Sequence, residues 1–444
     1  MSVDKEFFEL YRTFIIEVNL LSKLDSDQFA RGSASLDSNI RFMMLDAAAR
    51  VKTQQISREQ VPNEIIKLSE KIEIVDSKDS SYTLTSSDPM TRNLLSQFDK
   101  RRQEIEKYGE YAGTFKITNL TNLIEATLTS LTAWSLRHFE AKSKKFQTGT
   151  IKIQDLERFS SIDAARDFAL ERYVNDLTYK GAKEWVVALA DILDPQIRGD
   201  SNFQRVLDNV VELYLRRNLL VHNSGIVNSI YLDSLPASVS RDDLKMDDQI
   251  SADDEYLIEV FETSIELVNI FFKSRLTLVV EQMSEDPNLS DFIWEMNNLG
   301  SMMYEQNHFL AGTHFYRNLS NISKEKLGED AEETFFMYYN YYLGIALQEG
   351  LDSKMEQVTN LFKYTKSLPW WGKLGEMYTY LSENSLVLSK DEFSDVAVDF
   401  ATKLNESGDE GKKNLIAILE WPMMKLADDK GKWTKFVNSL YPKI

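Results

Sequence analysis

The sequence contains no cysteine and only four histidines among its 444 residues. The lack of cysteine excludes disulfides, thiolate zinc sites, iron–sulfur clusters and cysteine nucleophiles, and it is compatible with a reducing cytoplasm. Any metal site or proton-transfer site that needs imidazole must draw on His138, His222, His308 or His314.

Long apolar runs and an excess of positive charge are also missing. No stretch approaches the roughly 18 uncharged residues that a membrane span needs, and the acidic start does not resemble a signal peptide. Lys plus Arg number 51 and Asp plus Glu 70, which gives a net charge of −19. This sign argues against a surface that binds nucleic acid or anionic lipid everywhere. We therefore expect a soluble cytoplasmic protein without membrane contact, in which any RNA site is local.

Breakers of helical structure are scarce, since there are 8 prolines and 17 glycines. Apolar residues recur every three or four positions, so we predict an all-α fold. We divide the chain into an N-terminal helical region (1–110), a helical bundle (111–286) and C-terminal helical hairpins (287–444). The helical patterns of the first region lie near 4–24, 37–54, 58–75 and 88–107.

The middle region contains four longer amphipathic patterns, which suffice for a four-helix bundle. The patterns run from Ile117 to Trp134, over 162–193 with a break near Gly181, from Phe203 to Val221 with an end at Gly225, and from Leu257 to Val279.

The last region contains three Leu-Gly pairs at irregular intervals: Leu299-Gly300, Leu343-Gly344 and Leu374-Gly375. This pattern resembles degenerate tetratricopeptide repeats, in which a small residue lets two helices approach closely. The charge is uneven as well. Residues 251–350 contain 5 basic and 18 acidic residues, whereas 101–150 contain 8 and 5. RNA would therefore bind the middle region and not the acidic segment at the start of the last region.

The common catalytic signatures are absent. The sequence contains no P-loop, no G-x-G-x-x-G, no H-E-x-x-H and no G-x-S-x-G. Paired acids such as Asp242-Asp243 are typical of a solvated loop, and His308 and His314 have no evident third ligand nearby. We therefore expect neither a metal nor a cofactor.

The segment around Arg217 differs from the rest, because this arginine falls on the apolar stripe of a predicted helix. A guanidinium on a packed face needs a partner or a cleft. At about 100° per residue, Asn218 lies about 100° from Arg217 and His222 about 140° from it. Cation, amide and imidazole should thus flank one patch at the end of the helix, where the dipole favours an imidazolium.

These side chains suit metal-free RNA cleavage. A histidine can move the proton of the ribose 2′-hydroxyl or of the leaving 5′-oxygen. An arginine can stabilise the charge that develops on the phosphorane through two oxygen contacts. Asn218 could orient the imidazole or hold the phosphate. The residues therefore predict an RNA-cleaving site with Arg217, His222 and Asn218 as catalytic groups.

Arg217-Asn218-x-x-x-His222 resembles the R-x4-6-H signature of the HEPN superfamily, whose members are four-helix, usually dimeric domains and include many metal-independent ribonucleases. The resemblance covers residues 114–284. It implies that Arg217 and His222 are catalytic, that Asn218 supports them, and that the protein acts as a toxin or an effector of stress response or phage defence. HEPN toxins silenced by AMPylation have a tyrosine where this chain has Ser224, so that regulation is not implied.

The expected substrate is single-stranded or tRNA-like RNA, which basic residues in the middle region would contact. Arg216 satisfies the same spacing to the histidine and is expected to face solvent beside Arg217. The predicted RNA contacts are Arg216, Asn223, Arg137, Lys142, Lys144 and Lys145.

A symmetric homodimer would place two motifs on opposite sides of one phosphate. Its expected contact surfaces are the apolar faces of the third and fourth bundle helices. The alternative hypothesis is a non-enzymatic dimeric scaffold whose C-terminal repeats bind a protein partner. In that hypothesis Arg217 pairs with a carboxylate within the bundle. The aromatic residues that could line a peptide groove are Tyr338, Tyr339, Tyr341, Tyr342, Trp370 and Trp371.

Overall fold

The computed structural model describes residues 3–24, 36–76, 82–139, 158–239, 244–349, 390–408 and 431–440, and the single positions 411, 412, 415 and 419. In this part of the chain the structure is helical apart from one two-stranded antiparallel sheet. The prediction of an all-α fold is confirmed. None of the helices described here has the length and apolarity needed to cross a membrane.

The elements follow one another along the chain as helices with a single early hairpin. The first group is α1 (Val3–Ser22), α2 (Leu36–Lys52), α3 (Asn63–Glu70), β1 (Glu73–Asp76), β2 (Tyr82–Thr85) and α4 (Pro89–His138). The second group is α5 (Ile162–Thr178), α6 (Ala182–Leu193), α7 (Phe203–Asn223), α8 (Ser229–Ser234) and α9 (Asp254–Gln282). The third group is α10 (Leu289–Glu305), α11 (Phe309–Leu327), α12 (Glu332–Glu349), α13 (Lys390–Glu406) and α14 (Lys432–Leu440).

Helix α4 has 50 residues and is the longest helix in the described part of the chain. It begins where Asp88 accepts a hydrogen bond from the Thr91 amide at 2.9 Å, with Pro89 in the first turn. Both features favour a helix start, because they satisfy or remove amides that have no partner in the first turn. The second half of α4 presents a fully buried stripe of Ile117, Leu120, Ile124, Leu128 and Leu131.

The large core is formed by apolar side chains from α1, α4, α5, α6, α7, α9, α10, α11 and α12. Helix α4 runs without interruption across the predicted boundary at 110/111, and the large core continues across the one at 286/287. Helices α10 and α11 therefore share a core with the bundle. Their removal would expose apolar surface of α1 and α9 to water.

A small core lies at the other end of α4. There α2, the hairpin and the first half of α4 bury one compact set of side chains: Leu45, Ala48, Ala49, Ile72, Leu84, Leu95 and Phe98. The predicted helix over 58–75 is wrong in its last turn, since residues 73–76 pair with 82–85 as strands. The β-branched Ile74 and Val75 favour this extended conformation.

The bundle helices agree with their sequence patterns. The predicted break near Gly181 separates α5 from α6, and α9 begins after the acidic loop, where Asp253 caps the Tyr256 amide. Helix α7 ends in left-handed backbone at Ser224 (φ 50°) and Gly225 (φ 79°). Val221, at the end of the α7 stripe, is 47% exposed and is accessible for contact with a second chain. The α9 stripe from Leu257 to Val279, the other expected dimer contact, is buried within the chain.

The helices of the last region approach closely at glycines, as the Leu-Gly pattern predicts. A Cβ on Gly300 would lie 2.4 Å from the ring of Tyr316, and one on Gly344 would lie 1.9 Å from the Tyr304 hydroxyl. Any larger residue at either position would force α10, α11 and α12 apart. The third pair, Leu374-Gly375, lies outside the described residues.

Candidate functional site at the end of helix α7

The last two turns of α7 leave the large core. The helix is anchored by Phe203, Leu207, Val210 and Leu213, all of which are nearly inaccessible to solvent. From Tyr214 onward the same stripe becomes half-buried and then exposed. The motif that the sequence singles out therefore lies where a core helix reaches the surface.

A chain segment, residues 249–252, crosses the end of α7 and is held against two glycines. The Ile250 amide donates to the Gly225 carbonyl at 2.9 Å, and a Cβ on Gly225 would lie 2.3 Å from the Ile250 carbonyl. On its other side, a Cβ on Gly113 of α4 would lie 2.3 Å from the Ala252 carbonyl. This close passage fixes the end of α7 relative to α4.

The side chains of Arg217 and Asn218 lie together. One guanidinium nitrogen of Arg217, Nη1, donates to Asn218 Oδ1 at 3.0 Å. The Nε of Arg217 is buried and has no hydrogen-bond partner in the described part of the chain. Asn218 is exposed, whereas Arg217 is half-buried. A ligand cannot reach the buried Nε, whereas Nη2, which bonds to no described residue, retains donors that a ligand could use.

Arg217 also lies near a carboxyl group that the sequence reading missed, Glu125 of α4. Burial raises the pKa of Glu125, against the opposing effects of hydrogen bonding with Tyr214 and the positive charge of Arg217. The Tyr214 hydroxyl additionally donates to the Thr121 carbonyl at 3.1 Å. Glu125 therefore lies within electrostatic range of Arg217 and is partly desolvated by the packing of α4.

His222 is exposed in the last turn of α7. No described residue forms a hydrogen bond or ion pair with its ring. Five positions separate it from Arg217, a rise of about 7.5 Å along the helix. The structure thus brings Arg217 and Asn218 into contact and places His222 beyond them on the exposed end.

The expectation that Arg216 faces solvent is wrong. Its side chain is only 18% exposed and its Nε lies 2.7 Å from Glu212 Oε1. The guanidinium also stacks over the Tyr256 ring at 3.7 Å and donates to the Ser251 carbonyl at 3.0 Å. Glu212 accepts from the hydroxyls of Tyr231 and Tyr256 as well, each at 2.7 Å. Arg216 is therefore the arginine that pairs with a buried carboxylate, and two of its three nitrogens are engaged within the chain.

Of the other predicted RNA contacts, Asn223 and Arg137 bond to other parts of the chain, and three lysines are not described. Asn223 closes the turn after α7 by donating from Nδ2 to the Ile226 carbonyl. Arg137 pairs with Asp167 at 3.4 Å and with Glu171. It lies twelve positions beyond Glu125, about 18 Å along α4. Lys142, Lys144 and Lys145 lie outside the described residues.

In the described ranges no three histidine or acidic side chains are placed to hold a metal ion. His308 and His314 each pair with one glutamate, Glu262 and Glu266. Comparison of the chain with models of protein families, with curated proteins and with solved structures gives no match.

Proposed function

We propose that the protein is a metal-independent endoribonuclease of the HEPN type, with Arg217, Asn218 and His222 as its active site. The observation that carries the proposal is the accessible end of α7, where an imidazole without a partner follows a guanidinium that is held by the neighbouring amide. Both groups can reach a bound phosphodiester, because His222 is exposed and the Nη2 of Arg217 is not committed to another described residue.

The reaction requires one nucleophile and two proton transfers. The ribose 2′-hydroxyl gives its proton to a base and attacks the adjacent phosphorus, while the bond from phosphorus to the 5′-oxygen breaks and that oxygen takes up a proton. The products are a 2′,3′-cyclic phosphate and a 5′-hydroxyl. His222 would accept the proton of the 2′-hydroxyl or donate a proton to the 5′-oxygen. Arg217 would stabilise the negative charge on the non-bridging oxygens. Asn218 would hold the guanidinium in place.

Cleavage should therefore persist in EDTA. Purified protein is incubated with total cellular RNA in excess chelator, and the new ends are identified chemically. We expect 2′,3′-cyclic phosphate and 5′-hydroxyl ends, because the 2′-oxygen is the nucleophile and no metal is needed to activate it. Activity that is lost in EDTA and restored by magnesium, or ends that carry a 5′-phosphate, would exclude this mechanism.

A symmetric dimer would supply one His222 on each side of the scissile phosphate. The buried stripe of α9 is unsuited to this contact, so the interface must use groups beside the motif. Val221, Ile226 and Ile230 are exposed by 47%, 39% and 72% within nine positions of His222. Exposed apolar side chains in such number at one helix end are typical of a contact surface.

Light scattering at micromolar concentration should give about twice the chain mass of 51.3 kDa. An Ile230→Glu variant should be monomeric and should lose RNA cleavage, because a charge at the contact repels its copy. The matched control is Ile162→Glu, since Ile162 is 87% exposed at the start of α5. If the Ile230→Glu protein is monomeric and still cleaves RNA, the composite site across the dimer axis is wrong.

A second candidate function is the non-catalytic scaffold, which the proximity of Glu125 to Arg217 favours. In this reading the arginine balances the half-buried carboxyl group and the α12 region binds a protein. Tyr339 is only 1% exposed and Tyr338, Tyr341 and Tyr342 are half-buried, so packing already uses part of the proposed groove. Trp370 and Trp371 lie outside the described residues. Absence of RNA cleavage together with a stable dimer would favour this candidate.

A further inference from the structure

A polar cavity of about 370 Å³ lies between the start of α7, the middle of α9 and α11. Side chains from all three elements line it, including Asn202, Lys273, His314 and Arg317. Its size is in the range of small-molecule sites. The cavity is at the opposite end of α7 from His222, about 30 Å away along the helix axis.

The acidic groups of this cavity already have partners. Asp200 Oδ2 lies 3.2 Å from the Lys273 ammonium. Asp200 Oδ1 accepts a hydrogen bond from the backbone N–H of Asn202 at 3.0 Å. Glu266, whose side chain is 2% exposed, lies 2.7 Å from His314 Nδ1 through one oxygen and 2.7 Å from Arg205 Nη2 through the other. Neither carboxylate is therefore available to a cationic ligand.

Glu266 fixes the orientation of the His314 ring. Burial acts to raise the pKa of Glu266, but hydrogen bonds from His314 and Arg205 outweigh it and lower the pKa, so the group remains a carboxylate. A carboxylate only accepts hydrogen bonds, so Nδ1 of His314 carries the proton. The other nitrogen, Nε2, is left for the cavity, as in sites where a carboxylate orients an imidazole.

The donors of the cavity, in contrast, are largely unused. Within the described part of the chain, the Arg317 guanidinium and the side-chain amides of Asn202 and Asn318 have no hydrogen-bond partner, and Asn202 does not cap α7. Asn321 uses only its carbonyl oxygen, which accepts from Tyr338. Lys273 has one carboxylate partner and two further protons. The site is thus rich in free donors, and its two carboxylates are engaged by other side chains.

We propose that this cavity binds the phosphate group of a small phosphomonoester. Arg317 and Lys273 match the charge of a phosphate, and the amides supply neutral donors. The neutral His314 ring suits a phosphomonoester, because its Nε2 accepts from the P–OH of the monoanion. A sulfate or a phosphodiester has no acidic proton at neutral pH, so it cannot make this bond.

Binding is tested on the full chain by thermal unfolding and isothermal titration calorimetry with inorganic phosphate and glycerol 3-phosphate. Sulfate and dimethyl phosphate at equal ionic strength serve as comparisons. We expect saturable stabilisation by both phosphate probes, since a ligand that binds only the folded state raises the melting temperature. Both comparison anions should bind more weakly by a factor of about ten or more.

Two variants locate the site. Arg317→Ala should weaken phosphate binding about tenfold or more, through loss of a charge-assisted hydrogen bond. His314→Asn retains an N–H near the position of Nδ1, so the bond to Glu266 can persist while the group at Nε2 is lost. It should abolish the preference for phosphate over sulfate. The matched control is Arg172→Ala, which removes a 60% exposed arginine on α5.

Equal responses of the wild-type protein and of both variants would overturn the proposal, as would equal binding of sulfate and phosphate by the wild-type protein. Dimethyl phosphate binding as tightly as glycerol 3-phosphate would contradict the monoester preference. RNA cleavage does not enter any of these measurements, so their outcome is independent of the ribonuclease proposal.

Discussion

RNA cleavage by the His222→Ala variant is expected to fall by a factor of about 10²–10⁴, the contribution that a positioned acid–base group makes to a rate. The substitution removes an exposed side chain that forms no hydrogen bond or ion pair with a described residue. The free energy of unfolding should therefore change by no more than about 0.5 kcal/mol. The measurement is the initial rate on a defined RNA in EDTA, paired with urea unfolding of the same preparations.

The control for this experiment is His138→Ala, which removes an imidazole from α4, where it lies 3.0 Å from Glu6. Its cleavage rate should equal that of the wild-type protein. A His222→Ala protein that is folded and retains full activity would remove His222 from the mechanism. Loss of cleavage in both variants would point to the fold and not to the imidazole.

Replacement of Glu212 by alanine is expected to lower the free energy of unfolding by about 3–5 kcal/mol, the typical cost of breaking a buried ion pair from one side. The variant would leave the 18% exposed Arg216 without its carboxylate. It would also leave the hydroxyls of Tyr231 and Tyr256 without the acceptor that each uses at 2.7 Å. These contacts join α7 to α8 and to the start of α9, so the loss should appear as a lower urea midpoint.

The control is Glu259→Ala on the exposed side of α9, where a change within about 0.5 kcal/mol is expected. The double variant Glu212→Leu with Arg216→Met should recover part of the stability, because no uncompensated charge then remains. A Glu212→Ala protein as stable as the Glu259→Ala control would show that the buried carboxylate has no role in holding α7.

Local signals predicted most helix boundaries. Gly181 marks the break between α5 and α6, and the turn at Ser224 and Gly225 ends α7. Helix α4 joins two patterns that the sequence predicts as separate helices, 88–107 and Ile117 to Trp134. Gly113 lies within this helix and gives room for the Ala252 carbonyl. That role depends on a contact with a distant segment and leaves no local pattern.

The candidate site was predicted only in part. The helix-end position of Arg217, Asn218 and His222 follows from periodicity. The assignment of Arg216 to solvent failed, although Glu212 lies four positions before it and such spacing favours an ion pair within a helix. The two tyrosines that complete this network are 19 and 44 positions from Glu212, too far along the chain for any helical pattern to connect them. Glu125 was missed for the same reason, since it approaches Arg217 only through the packing of α4.

The uninterrupted helix α4 connects the two cores mechanically. Leu95 packs in the small core and Glu125 lies beside Arg217, so thirty residues, or about 45 Å of hydrogen-bonded helix, separate them. At about 100° per residue the two side chains point in directions about 120° apart. Because this one helix supplies side chains to both cores, a substitution that loosens the small core also removes support from the helix that carries Glu125.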